Sequence, residues 1–303
     1  PLGLRGGGSF GLAQPLVDYR HYFRDVVGGS DLRIQFHWSG LENIDFYGLG
    51  NESVPLGPTA FHRTPHKRIV LSTMVSFGDG ESRQLSIGPV LQYLSTDTTG
   101  VASYLRALHP YGSGRFGQLG LRATFQLDGR DRLGTPSRGY ALEGGATYFP
   151  EYMSVDRGEF GEAHAQAAAY VSPAGGNPTL ALRAQGKKLW GTYPFAESAF
   201  LGGMSSLRGL HEQRYAGDAS LLGSAELRVD VARILFIVPT DVGLLGLADM
   251  GRVFREGEQS NRWHSGVGGG IWLEPLLRGS TVHFTVARAE RRTAIYFGVG
   301  FAF

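Results

Sequence analysis

Apolar and polar residues alternate through most of this chain, and that restricts its fold more than any other feature. Leu32, Ile34, Phe36 and Trp38 fall on one side of an extended segment, and Arg33, Gln35 and His37 on the other. Ile69, Leu71, Thr73, Val75 and Phe77 repeat the pattern, as do Leu85, Ile87, Pro89, Leu91 and Tyr93. Leu119, Leu121, Ala123, Phe125 and Leu127 oppose Gly120, Arg122, Thr124, Gln126 and Asp128. Tyr140, Leu142, Gly144, Ala146 and Tyr148 follow, opposite Glu143 and Thr147. Further strands are predicted near 160–171, 178–189, 219–231, 241–254, 264–273, 280–289 and 293–303. Successive side chains of a strand point to opposite faces. Runs of roughly 10 residues with this period therefore suit either tilted membrane-crossing strands or the long strands of a soluble barrel. About twelve strands are readable from residue 31 onward, and residues 2–27 add one or two, for 12–14 in all.

Loop lengths separate the two cases. Residues 40–65, 96–116 and 190–218 form long links, whereas 78–82 and 172–177 are short and 128–137 intermediate. Transmembrane barrels carry short turns at one end and longer loops at the other, and a soluble sandwich has no reason to sort its loops this way. Segments 150–159 and 290–292 fall on the long-loop side and are not long. No run of about 18 apolar residues occurs, so no membrane-crossing helix is available. The mean hydropathy of −0.12 fits alternation, in which outward apolar and inward polar residues cancel. The expected fold is all-β, a transmembrane antiparallel up-and-down barrel, with residues 1–303 as one barrel domain.

Composition removes several other functions. The chain has no cysteine, so disulfides, zinc–cysteine sites and thiol catalysis are all excluded. Its 303 residues carry a net charge of +2, with dispersed basic residues and no aromatic–basic cluster, so a nucleic-acid partner is not expected. The chain opens Pro1, Leu2, Gly3, without Met or a signal peptide, and reads as a mature or excised piece.

One stretch breaks the alternation. Leu201–Leu210 (LGGMSSLRGL) is glycine-rich, carries the single cation Arg208, and lies within the longest link. The next strand is apolar at Leu221, Ala225, Leu227 and Val229, and its other face carries Ser224, Glu226, Arg228 and Asp230. An Arg-bearing loop beside a strand with a polar inner face makes sense if the loop folds into a polar lumen. In the last strand Ile295, Phe297, Val299, Phe301 and Phe303 share one face, opposite Tyr296, Gly298, Gly300 and Ala302. A terminal aromatic with apolar residues at every second position upstream is the sorting pattern of bacterial outer-membrane barrels.

From Gly117 to Phe303 the chain resembles the barrel of the BamA/TamA/FhaC superfamily, the bacterial surface antigens. Four segments carry the resemblance, in order: Asp128–Gly139 (DGRDRLGTPSRG), Phe200–Leu210, Ser224–Arg228 (SAELR) and Leu247–Phe254 (LADMGRVF). The second is similar to the family's sixth external loop, whose hallmark is Val-Arg-Gly-Phe/Tyr. Here the hallmark reads Leu207, Arg208, Gly209, Leu210, so the Arg-Gly pair is kept and the aromatic is not. The family barrel has sixteen strands with this loop between the eleventh and twelfth. Five strands then remain to Phe303, and counting backward leaves either a fragment or a smaller barrel. Ile44–Asn51 (IDFYGLGN) resembles a loop of members whose barrels follow a phosphoesterase or patatin-like hydrolase domain. No POTRA domain is expected in this chain.

The resemblance implies that Arg208 enters the lumen and meets Asp249, on a strand whose odd positions face inward, with Glu226 as a second partner. A planar guanidinium against a carboxylate would pin the loop to the wall. Gly202, Gly203 and Gly209 would let the loop turn tightly, and Gly251 would leave room beside Asp249. Arg122, Glu143, Glu162 and Arg228 read as general lumen lining. Gly298 and Gly300 would weaken the packing of the last strand at a seam with the first. The implied function is translocation or insertion of protein (or lipid) at the outer membrane of Gram-negative bacteria. The implied partners are outer-membrane lipid, lipopolysaccharide, the barrel-assembly machinery and client polypeptides. The alternative is a passive pore, or an anchor or conduit for a lost N-terminal hydrolase domain.

Catalysis finds little support. His264, Ser265 and His164 lack an evident partner, and neither His-Glu-x-x-His nor Gly-x-Ser-x-Gly occurs. Gly266–Gly270 opens a strand rather than a helix, so it is no phosphate loop. A serine–histidine phospholipase barrel remains the enzymatic alternative; no cofactor or metal is expected.

Overall fold

The computed structural model describes residues 3–8, 15–79, 82–97, 103–132, 134–154, 158–174, 176–236, 238–275 and 281–303. Nine strands come first: β1 (Gly3–Gly8), β2 (Pro15–Val27), β3 (Ser30–Asp45), β4 (Arg63–Gly78), β5 (Arg83–Thr96), β6 (Arg115–Asp128), β7 (Gly139–Phe149), β8 (Phe160–Val171) and β9 (Thr179–Gly191). A small hairpin follows, β10 (Ala199–Leu201) with β11 (Tyr215–Gly217). The last five are β12 (Ala219–Phe236), β13 (Val238–Phe254), β14 (His264–Pro275), β15 (Val282–Ala289) and β16 (Arg292–Val299). Fourteen of these form one antiparallel sheet in chain order, with β9 paired directly to β12. The sheet curls into a barrel whose edges, among the described residues, are β1 and β16.

The burial pattern is that of a membrane barrel. On β5 the outward Leu91 is 49% exposed while its neighbour Gln92 is 1% exposed. Leu85 and Ile87 are likewise exposed and Ser86 buried, an inversion that an aqueous surface would not tolerate and lipid rewards. No described helix is long and apolar enough to cross a membrane.

The strands differ from the periodicity reading at three places. β3 runs on to Asp45 and β4 begins at Arg63, so the connection is 46–62 rather than 40–65. The register of this pair shifts between Ser39 and Glu42. β12 likewise continues past residue 231 to Phe236, across a shift between Asp230 and Ala232. An irregularity of this kind inserts a residue and interrupts period-two alternation, so a strand appears to stop where it continues.

The end of the chain is the third correction. β16 stops at Val299, so Phe301 and Phe303 do not continue the lipid-facing row of Ile295, Phe297 and Val299. Gly300, at φ +78°, turns the chain inward, and its N–H donates to Thr281 O at 2.7 Å. Arginines on the inner wall receive the turned residues. The Arg228 guanidinium lies 3.9 Å from the centre of the Phe301 ring, and Arg183 lies 4.7 Å from that of Phe303. Arg228 donates to Phe303 O at 2.9 Å and Arg183 to Ala302 O at 3.2 Å. Each turned ring thereby gains a cation–aromatic contact, and each arginine a carbonyl acceptor.

Long connections at one end fold over the mouth. Short helices α1 (Thr59–His62) and α2 (Tyr104–Leu108) lie in two of them. Ile44, Phe46, Leu105 and Phe195 bury a common apolar cluster between connections 46–62, 97–114 and 192–218.

Candidate functional site: a loop docked in the lumen

The β10–β11 hairpin carries the loop inward, with Leu201 opposite Tyr215 at its base and residues 202–214 as its tip. Leu201, Leu207, Leu210 and Tyr215 pack against Leu222, Val253 and Ala289 of the wall. The two leucines of the hallmark thus supply apolar contact on either side of Arg208 and Gly209. The space next to Gly251 is occupied by this packing. A Cβ there would lie 2.9 Å from Leu201 Cδ1 and 2.7 Å from Leu221 O, so Gly251 makes room for the hairpin base rather than for Asp249.

Arg208 is 3% exposed and meets carboxylates from two strands. Its Nε and Nη2 donate to Asp249 Oδ2 and Oδ1, both at 2.7 Å, in a two-pronged pair. Its backbone N–H donates to Asp249 Oδ2 at 3.0 Å, and its Nη1 donates to Glu226 Oε1. Burial alone would push the Arg208 pKa down. Its hydrogen bonds and the charges of Asp249 and Glu226 outweigh that and hold it above the usual value. Glu226 Oε2 accepts from Arg228 Nε at 3.0 Å and Nη2 at 2.7 Å. Two arginines and two carboxylates therefore form a buried cluster in which every charge touches an opposite one, which offsets part of the cost of desolvation. The sequence reading left Arg228 as lining; the structure makes it the link between Glu226 and residues 301–303.

Gly209 sits at φ +96°, and a Cβ would lie 2.5 Å from Ala289 N, so backbone strain and close approach both require glycine. Gly202 and Gly203 also have positive φ and shape the tip. The loop further touches β16, which sequence reasoning missed. The Tyr296 hydroxyl oxygen accepts from Gly209 N at 2.9 Å, and Arg292 Nη1 donates to Gly209 O and Leu210 O, each at 2.9 Å. Met204 covers Gly298, where a Cβ would meet its Cε at 2.3 Å. The inward parity of Tyr296 was legible; its partner was not.

The same connection is also held nearer its start. Glu197 accepts from Gln92 Nε2 and lies 4.0 Å from Lys187 and 3.9 Å from Arg68. At the rim, His264 does have partners, contrary to expectation. Its Nδ1 is 2.9 Å from Glu290 Oε1, its Nε2 is 3.1 Å from Asn51 Oδ1, and Tyr215 stacks on the ring. Glu290 also accepts from the Tyr215 hydroxyl at 2.7 Å. No group of three metal-ligating side chains occurs among the described residues.

A fourteen-stranded lipid-facing sheet with an arginine loop docked on its inner wall defines a class: outer-membrane barrels with an occupied lumen. Residues 45–303 match the Omp85 superfamily domain, and the chain belongs to that superfamily. The fold is similar to BamA from Haemophilus ducreyi lacking POTRA domains 1–3, at 13% identity and a TM-score of 0.70, over 98% of this chain and 63% of that one. CdiB from Acinetobacter baumannii is similar at 13% identity and a TM-score of 0.52, over 95% and 53% respectively. The chain thus spans less than two thirds of either structure. A search of curated protein sequences found no match. The superfamily assignment agrees with the motif resemblance and extends it upstream of Gly117.

Proposed function

We propose that this barrel acts in translocation or insertion of polypeptide (or lipid) at the bacterial outer membrane, with its lumen conformation held by Arg208. The observation that carries the reading is the buried contact of one loop arginine with Asp249 and Glu226 on adjacent strands. The same loop grips β16 through Arg292, Tyr296 and Met204, so an ordered loop also orders one edge of the sheet. Release of that grip would expose strand edges able to template an incoming strand by β-augmentation. The hydrolase-linked subgroup suggested by Ile44–Asn51 goes instead with the alternative, an anchor or conduit for a hydrolase domain. In this fold the segment lies under the loop canopy, with Asp45, Phe46, Tyr47 and Asn51 buried.

Planar-bilayer conductance tests this. The wild type is expected to stay mostly closed, and Arg208→Ala and Asp249→Ala to open similarly. The same large steady current from all three would make the chain a passive pore and end the reading.

A further inference from the structure

At the loop-bearing end, the outer face of the barrel carries a groove of about 450 Å³. Lys188 and Trp190 line it from the end of β9, Tyr193 and Asp218 from the following connection, and Phe254 and Arg255 from the end of β13. Ala219 pairs with both Lys188 and Phe254, so these three residues form one row across β9, β12 and β13. The row lies on the lipid-facing side, where Leu221, Leu227 and Met250 are exposed.

The charges here are unbalanced in use, if not in number. Lys188 is exposed and has no hydrogen bond or ion pair among the described residues. Among the described residues Arg255 forms one hydrogen bond, to Leu49 O at 3.4 Å, and no ion pair. Asp218, in contrast, is occupied: Oδ1 accepts from the Tyr193 hydroxyl and Oδ2 from Glu256 N at 2.6 Å. Glu256 is the one remaining carboxylate, and it is exposed. One row nearer the barrel middle, Arg252 lies 4.4 Å from the Phe254 ring centre, and its guanidinium also faces Trp263. Exposed cations beside outward tryptophan and phenylalanine suit the membrane interface, where the rings meet lipid and the charges reach the headgroups. Phosphates are prominent among the anionic groups there, and cations bind them by charge-assisted hydrogen bonds.

We propose that this groove binds the phosphorylated headgroup of a membrane lipid, with Lys188 and Arg255 on the phosphate and Trp190 and Phe254 against the apolar portion. The proposal rests on this face meeting lipid and is independent of the Arg208 loop.

Native mass spectrometry of the full chain released from non-ionic detergent tests it, with a diphosphorylated lipid A as probe. Its dephosphorylated form and inorganic phosphate serve as the comparison arms. Wild type and Lys188→Arg are expected to retain the phosphorylated lipid. Lys188→Gln combined with Arg255→Gln lowers affinity about tenfold, and Arg83→Gln, on an exposed residue at the opposite end, leaves it unchanged. Heat-dependent gel mobility verifies that each variant is folded. Equal affinity in the double variant overturns the proposal. So does equal retention of the dephosphorylated lipid, which would mean acyl packing alone. Inorganic phosphate competing as well as the lipid would mean a free-anion site and would also overturn it.

Discussion

The long connection between β9 and β12 is fastened to the wall twice, and the two fastenings are built in opposite senses. Near its start, the loop supplies a carboxylate, Glu197, and the wall supplies Arg68, Lys187 and Gln92. At its tip, the loop supplies a cation, Arg208, and the wall supplies Asp249 and Glu226. The ion pairs of the first are loose, at 3.9 and 4.0 Å with an Arg68 side chain 36% exposed, and its one direct contact is the hydrogen bond from Gln92. The second is tight, with both Asp249 contacts at 2.7 Å and every side chain at 4% exposure or less. Exposed pairs contribute little because water screens them and their side chains must be ordered. A buried two-pronged pair cannot lose one member without leaving a charge in a restricted space. Tip and base of one loop therefore differ in what holds them: paired buried charges at the tip, and one direct hydrogen bond with more distant charges at the base.

The largest effect should come from Asp249→Ala, which removes the acceptor of three Arg208 donors. A loss of about 3–5 kcal/mol is expected in chemical denaturation of the folded barrel in micelles. If Arg68→Gln costs as much, the contrast between tip and base is wrong. Gly209→Ala should come next, at about 1–3 kcal/mol, because it strains a left-handed backbone position and drives Cβ into Ala289 N. It should also increase protease access to 202–214; an unchanged digestion pattern would place the grip elsewhere. Arg68→Gln should change stability by less than about 1 kcal/mol in the same assay.

The smallest effect is one of pH, at the rim. Burial pushes the Glu290 carboxyl up, but the Tyr215 hydroxyl, the His264 ring and the nearby positive charges more than reverse this, so its pKa lies below the usual value. A depressed carboxylate contributes stability that is complete above the unfolded pKa near 4.5 and is lost as pH falls through the lower folded value. Denaturation midpoints should therefore fall on acidification from neutral toward about pH 3, less so in Glu290→Gln. Equal slopes in the two proteins would remove Glu290 from the account.

Much of this fold was legible because lipid outside and water inside enforce alternation residue by residue. β6 through β9 and β13 through β15 fall close to where periodicity put them. Alternation failed at Ser39 and Asp230, where a shifted register hides a continuing strand, and at Gly300. At Gly300 the pattern Phe297, Val299, Phe301, Phe303 reads as one strand although the backbone turns away. Arg208 and Asp249 came within reach through motif order. Arg292, Tyr296 and Glu197 did not, because the first two meet backbone groups of the loop and the third, on the loop, meets distant wall residues, and neither leaves a local pattern.

Glu226 has a consequence beyond its pairings. One oxygen faces the loop through Arg208, and the other faces residues 301–303 through Arg228. A single carboxylate so divided makes the two ends of the network thermodynamically reciprocal. Whatever free energy the departure of the loop adds to or removes from the hold on Phe303, the departure of Phe303 must return to the loop in equal measure. The inner surface of this barrel therefore carries a linkage between the connection that fills it and the residues following its last strand, across a buried charge belonging to neither.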